Sequence, residues 1–278
     1  MLRTLRLAAL LGGLLMAVAA SARDIDAASY GYPLTNPFEA TIATTPPEQR
    51  PTLPSDEDID QSDYSLNLRP EREFILPDNF WAVKKLKYRL ARQDHAAPLI
   101  FIIAGTGAAY TSTINEYLKK LFYQAGFHVV QLSSPTSYDF ISAASRFATP
   151  GITQEDAEDL YRVMQAVRAQ HPRLPVSEFY LTGYSLGALD AAFVSHLDET
   201  RRSFNFKRVL LLNPPVNLYT SINNLDKLVQ TQVKGIDRST TFYELMLQKL
   251  TRYFQDKGYI DLNDALLYDF QQSKQHLS

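Results

Sequence analysis

The sequence contains no cysteine among its 278 residues. A disulfide framework, a thiolate nucleophile and a lipid-attachment cysteine are therefore excluded. An excess of charge is missing too, because the net charge is −2 and the pI is about 6.2. A chain so balanced has no electrostatic footprint for nucleic acid. We also find no repeat, no zinc-type spacing and no glycine-rich phosphate loop, so we expect neither nucleic acid nor a metal or cofactor as a ligand.

Long apolar runs are absent except at the N-terminus. Arg3 and Arg6 precede an apolar stretch over residues 7–19, and Ala20-Ser21-Ala22 follows as a small-residue cleavage site. This pattern predicts a signal peptide over residues 1–22, removed after Ala22, and hence a periplasmic or secreted protein. The alternative is an uncleaved anchor, although the stretch is shorter than the roughly 20 residues that span a bilayer.

Residues 23–70 are rich in proline, serine, threonine and acids. Prolines this dense disfavour regular structure, so we predict an extended, partly disordered lead-in. An arm that binds a partner is the alternative interpretation.

From residue 71 the pattern alternates between strands and helices. An antiparallel pair is predicted at 73–76 and 80–90, with Lys87 and Arg89 on its exposed side. Strands apolar on both faces are predicted at 98–104 and 208–213, and further strands at 127–132 and 179–181. Helices are predicted to be N-capped by Thr113 and Thr153, and another helix is predicted after Gly187. The connection 133–152 is predicted to be irregular, with Tyr138, Phe140 and Phe147 lining a pocket. Such alternation specifies a mostly parallel α/β sheet with helices on both faces.

Gly183-Tyr184-Ser185-Leu186-Gly187 follows one of these strands and opens a helix. A serine at the tip of such a turn is exposed above the sheet, and small residues two positions on either side let strand and helix pass closely. The pattern therefore predicts Ser185 as a nucleophile. A tight turn whose serine has no chemical role is the alternative.

The strand-turn-helix around Ser185, together with Ala104-Gly105-Thr106-Gly107 at the end of an earlier strand, resembles the α/β-hydrolase family. The resemblance covers residues 73–213 and implies an oxyanion hole formed by the amides of Leu186 and Thr106. That family often carries a histidine where this chain has Ala104, which concerns the support of the loop more than the chemistry.

The other two members of the family's triad, an acid and then a histidine, have no evident counterpart. His196 lies eleven residues along the serine helix, about 16 Å away, and His95, His128 and His171 precede strands at the opposite end of the sheet. His276 is a weak candidate. Available acids after the core include Asp237, Asp256, Asp261, Asp264 and Asp269, each more simply a solvated helix-end residue. The chain is therefore either a truncated hydrolase or a hydrolase-like fold without a working triad.

Residues 218–278 read as helical throughout, and we interpret them as a cap over a core at 71–217. The cap carries apolar and aromatic residues suited to an acyl group: Tyr219, Phe242, Tyr243, Tyr253 and Phe254. Simple packing of the cap explains them equally well. The sequence thus predicts a serine hydrolase for a small ester or lipid-like acyl substrate. The alternative is a non-catalytic exported protein that binds a ligand or partner.

Overall fold

The computed structural model describes residues 50–68 and 85–232, with side chains to residue 227. A 3-10 turn over Asp56–Asp58 precedes the first strand. The strands are β1 Gln61–Leu66, β2 Leu86–Ala91, β3 Ala97–Ile103, β4 His128–Leu132, β5 Val176–Tyr184 and β6 Arg208–Leu212. The helices are α1 Thr113–Gln124, α2 Tyr138–Ala143, α3 Thr153–Gln170, α4 Leu186–Arg201 and α5 Leu218–Gln232.

The six strands form one sheet in the order β1-β2-β4-β3-β5-β6. The first two pairings are antiparallel, and β4, β3, β5 and β6 run parallel to one another. In the parallel part, Ile103 pairs with both Leu132 and Gly183. The carboxyl ends of β4, β3 and β5 therefore meet at one edge of the sheet, which is where open α/β sheets bind their ligands.

Helices cover both faces of the sheet. On one face, residues of α3 and α4 such as Tyr161 and Val194 share a buried cluster with Phe101 of β3. On the other face, Leu118 of α1 packs with Ile100 and the neighbouring strand residues. Because β3 is covered from both sides, nearly every residue in it is buried. The mostly parallel α/β sheet predicted from the sequence is confirmed.

The N-terminal part of the described chain is more ordered than predicted. β1 lies within the segment 23–70, where we expected no regular structure, and it pairs with β2 as the edge strand. That expectation was wrong for residues 61–66, which contain no proline. The fully buried Lys119 anchors the segment from α1, since its ammonium donates to Asp56 at 3.0 Å and to Gln61 at 2.7 Å.

The connection 133–152 contains α2, so it is not irregular throughout. Of the three aromatic residues predicted to line a pocket there, Phe140 is fully buried in the core, whereas Tyr138 and Phe147 are exposed. Apolar side chains on a short helix turn towards the sheet, which the local pattern did not reveal.

Two helix starts were placed one residue too late. The N-cap residues are Ser112 and Ile152, so Thr113 and Thr153 are the first helical residues.

The last strand, β6, was predicted to be buried on both faces, and this was wrong. Leu210 is 46% exposed and Leu211 is 38% exposed. β6 forms the end of the sheet within the described residues, so one of its sides has no neighbouring strand there.

Several predictions fall outside the described residues and stay predictions. These are the signal peptide 1–22, the strand at 73–76, and the cap beyond residue 232. The helix predicted at the start of the cap is present as α5. Within the described ranges, none of the helices has the length and apolar character needed to cross a membrane.

Candidate active site

Ser185 is the residue between β5 and α4, and its backbone is strained. Its φ is 54° and its ψ is −125°, a combination that side-chain-bearing residues rarely adopt. Holding a residue there costs about 1–3 kcal/mol and persists only where the surroundings enforce it. The Ser185 amide donates to the carbonyl of Leu212 at 2.9 Å, which ties the turn to the end of β6.

Two glycines make this turn sterically feasible. A Cβ on Gly183 would lie 2.2 Å from the carbonyl oxygen of Gly187, and a Cβ on Gly187 would lie 2.4 Å from the carbonyl oxygens of Ile103 and Ala104. Both distances are far inside contact range. The backbones of β5, α4 and the end of β3 therefore approach as closely as glycine allows. This close approach is why small residues are expected at these two positions.

The same packing brings the predicted oxyanion residues to one place. Gly187 touches Ala104, and a Cβ on Gly105 would lie 3.2 Å from the carbonyl oxygen of Tyr184. The loop that carries Thr106 thus lies directly against the turn that carries Ser185. Thr106 is exposed and Ser185 partly exposed, so both face accessible space.

Backbone hydrogen bonding leaves two amides available at this junction. In the loop, the amide of Gly107 donates to Thr136 Oγ1 and that of Ala108 donates to the carbonyl of Gly105. Thr106 and Leu186 donate to no acceptor within the part of the chain described. Leu186 is the first residue of α4, where amides lack helical partners and the helix dipole favours negative charge. Chemically, the junction suits an anion that forms beside Ser185.

Two of the histidines lie at the other end of the sheet, His128 buried and His171 partly buried. His128 pairs with Leu99, and Leu99 pairs with Phe179 on the next strand. Ser185 lies six residues further along the extended chain than Phe179. That is about 20 Å. His128 accepts from the amide of Gln93, and burial lowers its pKa. His171 lies 2.7 Å from the Tyr88 hydroxyl, and burial lowers its pKa as well.

The remaining described histidines are on the surface. His95 contacts its neighbour Asp94, and His196 contacts Glu199 one turn further along α4. Within residues 50–68 and 85–232, no acidic or histidine side chain hydrogen-bonds to Ser185. His276 and the five acids considered with it lie outside those ranges. The described residues also contain no cluster of acids and histidines that could hold a metal ion.

Two residues near the junction were missed by sequence reasoning. Thr136 holds the loop after β3, and Asp190, in the second turn of α4, has a buried carboxyl group with no hydrogen-bond partner among the described residues. Burial, and then the charge of Asp156, raise the pKa of Asp190 to about 8. The signal that could have identified Asp190 is an aspartate within an otherwise apolar helical stretch, Ala188-Leu189-Asp190-Ala191-Ala192.

No protein-family model matches the chain, and a search of curated protein sequences finds no match either. Among solved structures, brefeldin A esterase, a bacterial homologue of human hormone-sensitive lipase, is similar at 17% identity and a TM-score of 0.42, over 69% of this chain and 51% of the esterase. An esterase from Pyrococcus furiosus is similar at 13% identity and a TM-score of 0.45, over 63% of this chain and 57% of that one. The chain thus spans about half the length of these esterases.

The strand order, the helices on both faces and the strand-turn-helix at Ser185 are features of this chain's own coordinates. They agree with the resemblance drawn from the sequence. The described residues therefore form an α/β-hydrolase-like fold.

Proposed function

We propose that this chain is a serine hydrolase that cleaves a carboxylic ester or a lipid-like acyl substrate. The observation that carries the proposal is the strained backbone of Ser185, held between two glycines where an added Cβ would lie 2.2 Å or 2.4 Å from backbone oxygens. Strain of this kind is retained at functional sites, where it presents a side chain that a relaxed turn would not.

In the proposed reaction, Ser185 Oγ attacks the carbonyl carbon of the ester while a base takes its proton. The tetrahedral oxyanion accepts hydrogen bonds from the amides of Leu186 and Thr106. Collapse of this intermediate expels the alcohol, which receives the proton, and water then hydrolyses the acyl-enzyme by the same steps. The base and its acid partner are not identified among the described residues, and His276, outside those ranges, stays a candidate for the base.

The proposal predicts that a fluorophosphonate probe labels the wild-type chain at Ser185 and does not label Ser185→Ala. The matched control is Ser195→Ala, on the same helix and about 15 Å further along it. This control is expected to be labelled like the wild type, as measured by intact-protein mass spectrometry.

Failure of the wild type to react, or equal reaction of Ser185→Ala, contradicts the hydrolase proposal. Either result would favour the alternative, a hydrolase-like protein that binds a ligand or partner without catalysis. Release of p-nitrophenol from p-nitrophenyl acetate and p-nitrophenyl octanoate then compares short and lipid-like acyl groups on the labelled enzyme.

A further inference from the structure

The loop after β3 contains a β-turn over residues 105–108. The amide of Ala108 donates to the carbonyl of Gly105 at 3.0 Å, and Gly107 has a φ of +68° while Thr106 does not have a positive φ. A turn with positive φ only at its third residue is of type II. In a type II turn the central peptide, here between Thr106 and Gly107, is rotated by roughly 180° from its type I orientation.

Glycine at the third position makes both orientations accessible, because it adopts negative and positive φ with similar ease. The turn sequence alone therefore does not select one. The additional contact comes from Thr136, whose Oγ1 accepts the amide of Gly107 at 2.7 Å. That bond exists only when the central peptide points its N–H towards Thr136.

Thr136 is itself held firmly against the loop. Its hydroxyl lies 2.8 Å from Ser134 Oγ. The amide of Ser134 donates to the carbonyl of Ala108 at 3.0 Å, and the amide of Tyr110 donates to Ser133 Oγ at 3.0 Å. The segment after β4 is thus joined to the loop after β3 at three points, and the Thr136 hydroxyl is the one that contacts the central peptide.

The direction of the Thr106 amide is set by the peptide that precedes the central one. In a trans peptide the N–H of Thr106 is directed opposite to the carbonyl of Gly105, and that carbonyl is occupied by Ala108 inside the turn. The Thr106 N–H is therefore directed out of the turn. Rotation of the next peptide would leave that direction unchanged, but it would change the ψ of Thr106 and break the bond that ties the loop to Thr136.

We infer that Thr136 is a positioning residue, whose hydroxyl fixes the Thr106–Gly107 peptide and so holds the loop in the place where the Thr106 amide is available to the oxyanion. The inference rests on the proposed hydrolase function. Thr136 does not touch substrate. Its effect is exerted through the loop, and it should be larger on the chemical step than on substrate binding.

The test compares Thr136→Val, which keeps the shape but removes the acceptor, with Thr136→Ser, which keeps the hydroxyl. For p-nitrophenyl acetate, Thr136→Val is expected to lower kcat by about 10- to 100-fold with KM within about twofold. Thr136→Ser should retain kcat within about threefold. Hydrogen exchange of the Gly107 amide, followed by NMR on the full chain, should accelerate in Thr136→Val and not in Thr136→Ser, whether or not the enzyme turns over.

Unchanged kcat in Thr136→Val overturns the inference, as does an equal loss of kcat in both variants. Unchanged Gly107 exchange in Thr136→Val shows that the hydroxyl does not hold the peptide, and this also overturns it. If the wild type neither hydrolyses esters nor reacts with fluorophosphonate, the proposed function fails and the catalytic role of Thr136 fails with it. Faster exchange in Thr136→Val would then identify a structural contact alone.

Discussion

Gly187→Ala is expected to destabilise the protein by about 3 kcal/mol and to slow fluorophosphonate labelling of Ser185 by at least about 100-fold. The new Cβ would lie 2.4 Å from two carbonyl oxygens of the backbone at the end of β3. Backbone atoms cannot move aside as a flexible side chain can, so α4 and the loop after β3 must separate. Separation displaces the Leu186 amide from the Thr106 amide, and shifts near 1 Å are costly in a preorganised site.

This expected loss runs against helix propensity. Alanine is favoured over glycine in a helix by about 1 kcal/mol, so the same substitution at an open helical position would stabilise the chain. Urea unfolding of the purified variant measures the change in the free energy of unfolding, and the labelling rate measures the state of the site.

Gly126→Ala is the matched control for the steric argument. Gly126 has a φ of +87°, and a Cβ there would meet nothing within 4 Å. This variant should lose only about 1 kcal/mol from backbone strain and should be labelled at the wild-type rate. A Gly187→Ala protein that is as stable and reactive as the wild type would show that the close approach of α4 to β3 is no constraint.

The core strands were predictable because burial on both faces demands a continuous apolar run. β3 and β4 satisfy that rule, and the alternation in β2 matches its buried Leu86, Tyr88 and Leu90. The rule failed for β6, because apolar composition alone does not distinguish a central strand from one at the end of the sheet. It also failed for β1, which has one buried residue, Leu66, and depends on pairing with β2.

The site was predictable where its chemistry is local in sequence. Gly183, Ser185 and Gly187 lie within five residues, so the turn could be read from the pattern. Thr136 bonds to Gly107, and Asp190 is affected by the charge of Asp156. Both partners are far away in the chain, so no spacing rule in the sequence connects them. The two predicted oxyanion amides were implied by a family resemblance, and the packing of Gly187 on Ala104 explains why the segments that carry them lie together.

Asp190 gives the chain an unusual dependence of stability on pH. Its side chain is 1% exposed, and both carboxyl oxygens lack a hydrogen-bond partner in the described structure. The charged groups that face it are on α3. Asp156 raises the pKa of Asp190 by its charge, and the pKa of Asp156 is itself raised by burial and then by the charges of Asp159 and Glu155. Asp156 also accepts the amide of Gly151 at 2.7 Å, which favours its ionised form.

The sign of the effect follows from the two pKa values of Asp190. In the unfolded chain the carboxyl group titrates near its ordinary value of 3.8, and in the folded protein burial raises this pKa to about 8. Between these values the folded state holds a proton that the unfolded state has released. Stability therefore falls as pH rises from about 4 to 8, by up to about 1.4 kcal/mol per pH unit, and the loss is complete above the folded pKa.

Asp190→Asn is expected to match the wild type in stability near pH 4 and to exceed it by about 2–4 kcal/mol at pH 9. The amide resembles the protonated carboxyl in shape and cannot ionise, so the variant lacks the cost of charging a group beside Asp156. Urea unfolding at pH 4, 6, 8 and 9 gives the difference in free energy at each pH. Asp226→Asn, at an exposed position on α5, is the control and should follow the wild type throughout. A constant difference between Asp190→Asn and the wild type at all four pH values would mean that Asp190 is ionised in the folded protein from pH 4 upwards, and that its burial is compensated by groups other than those on α3.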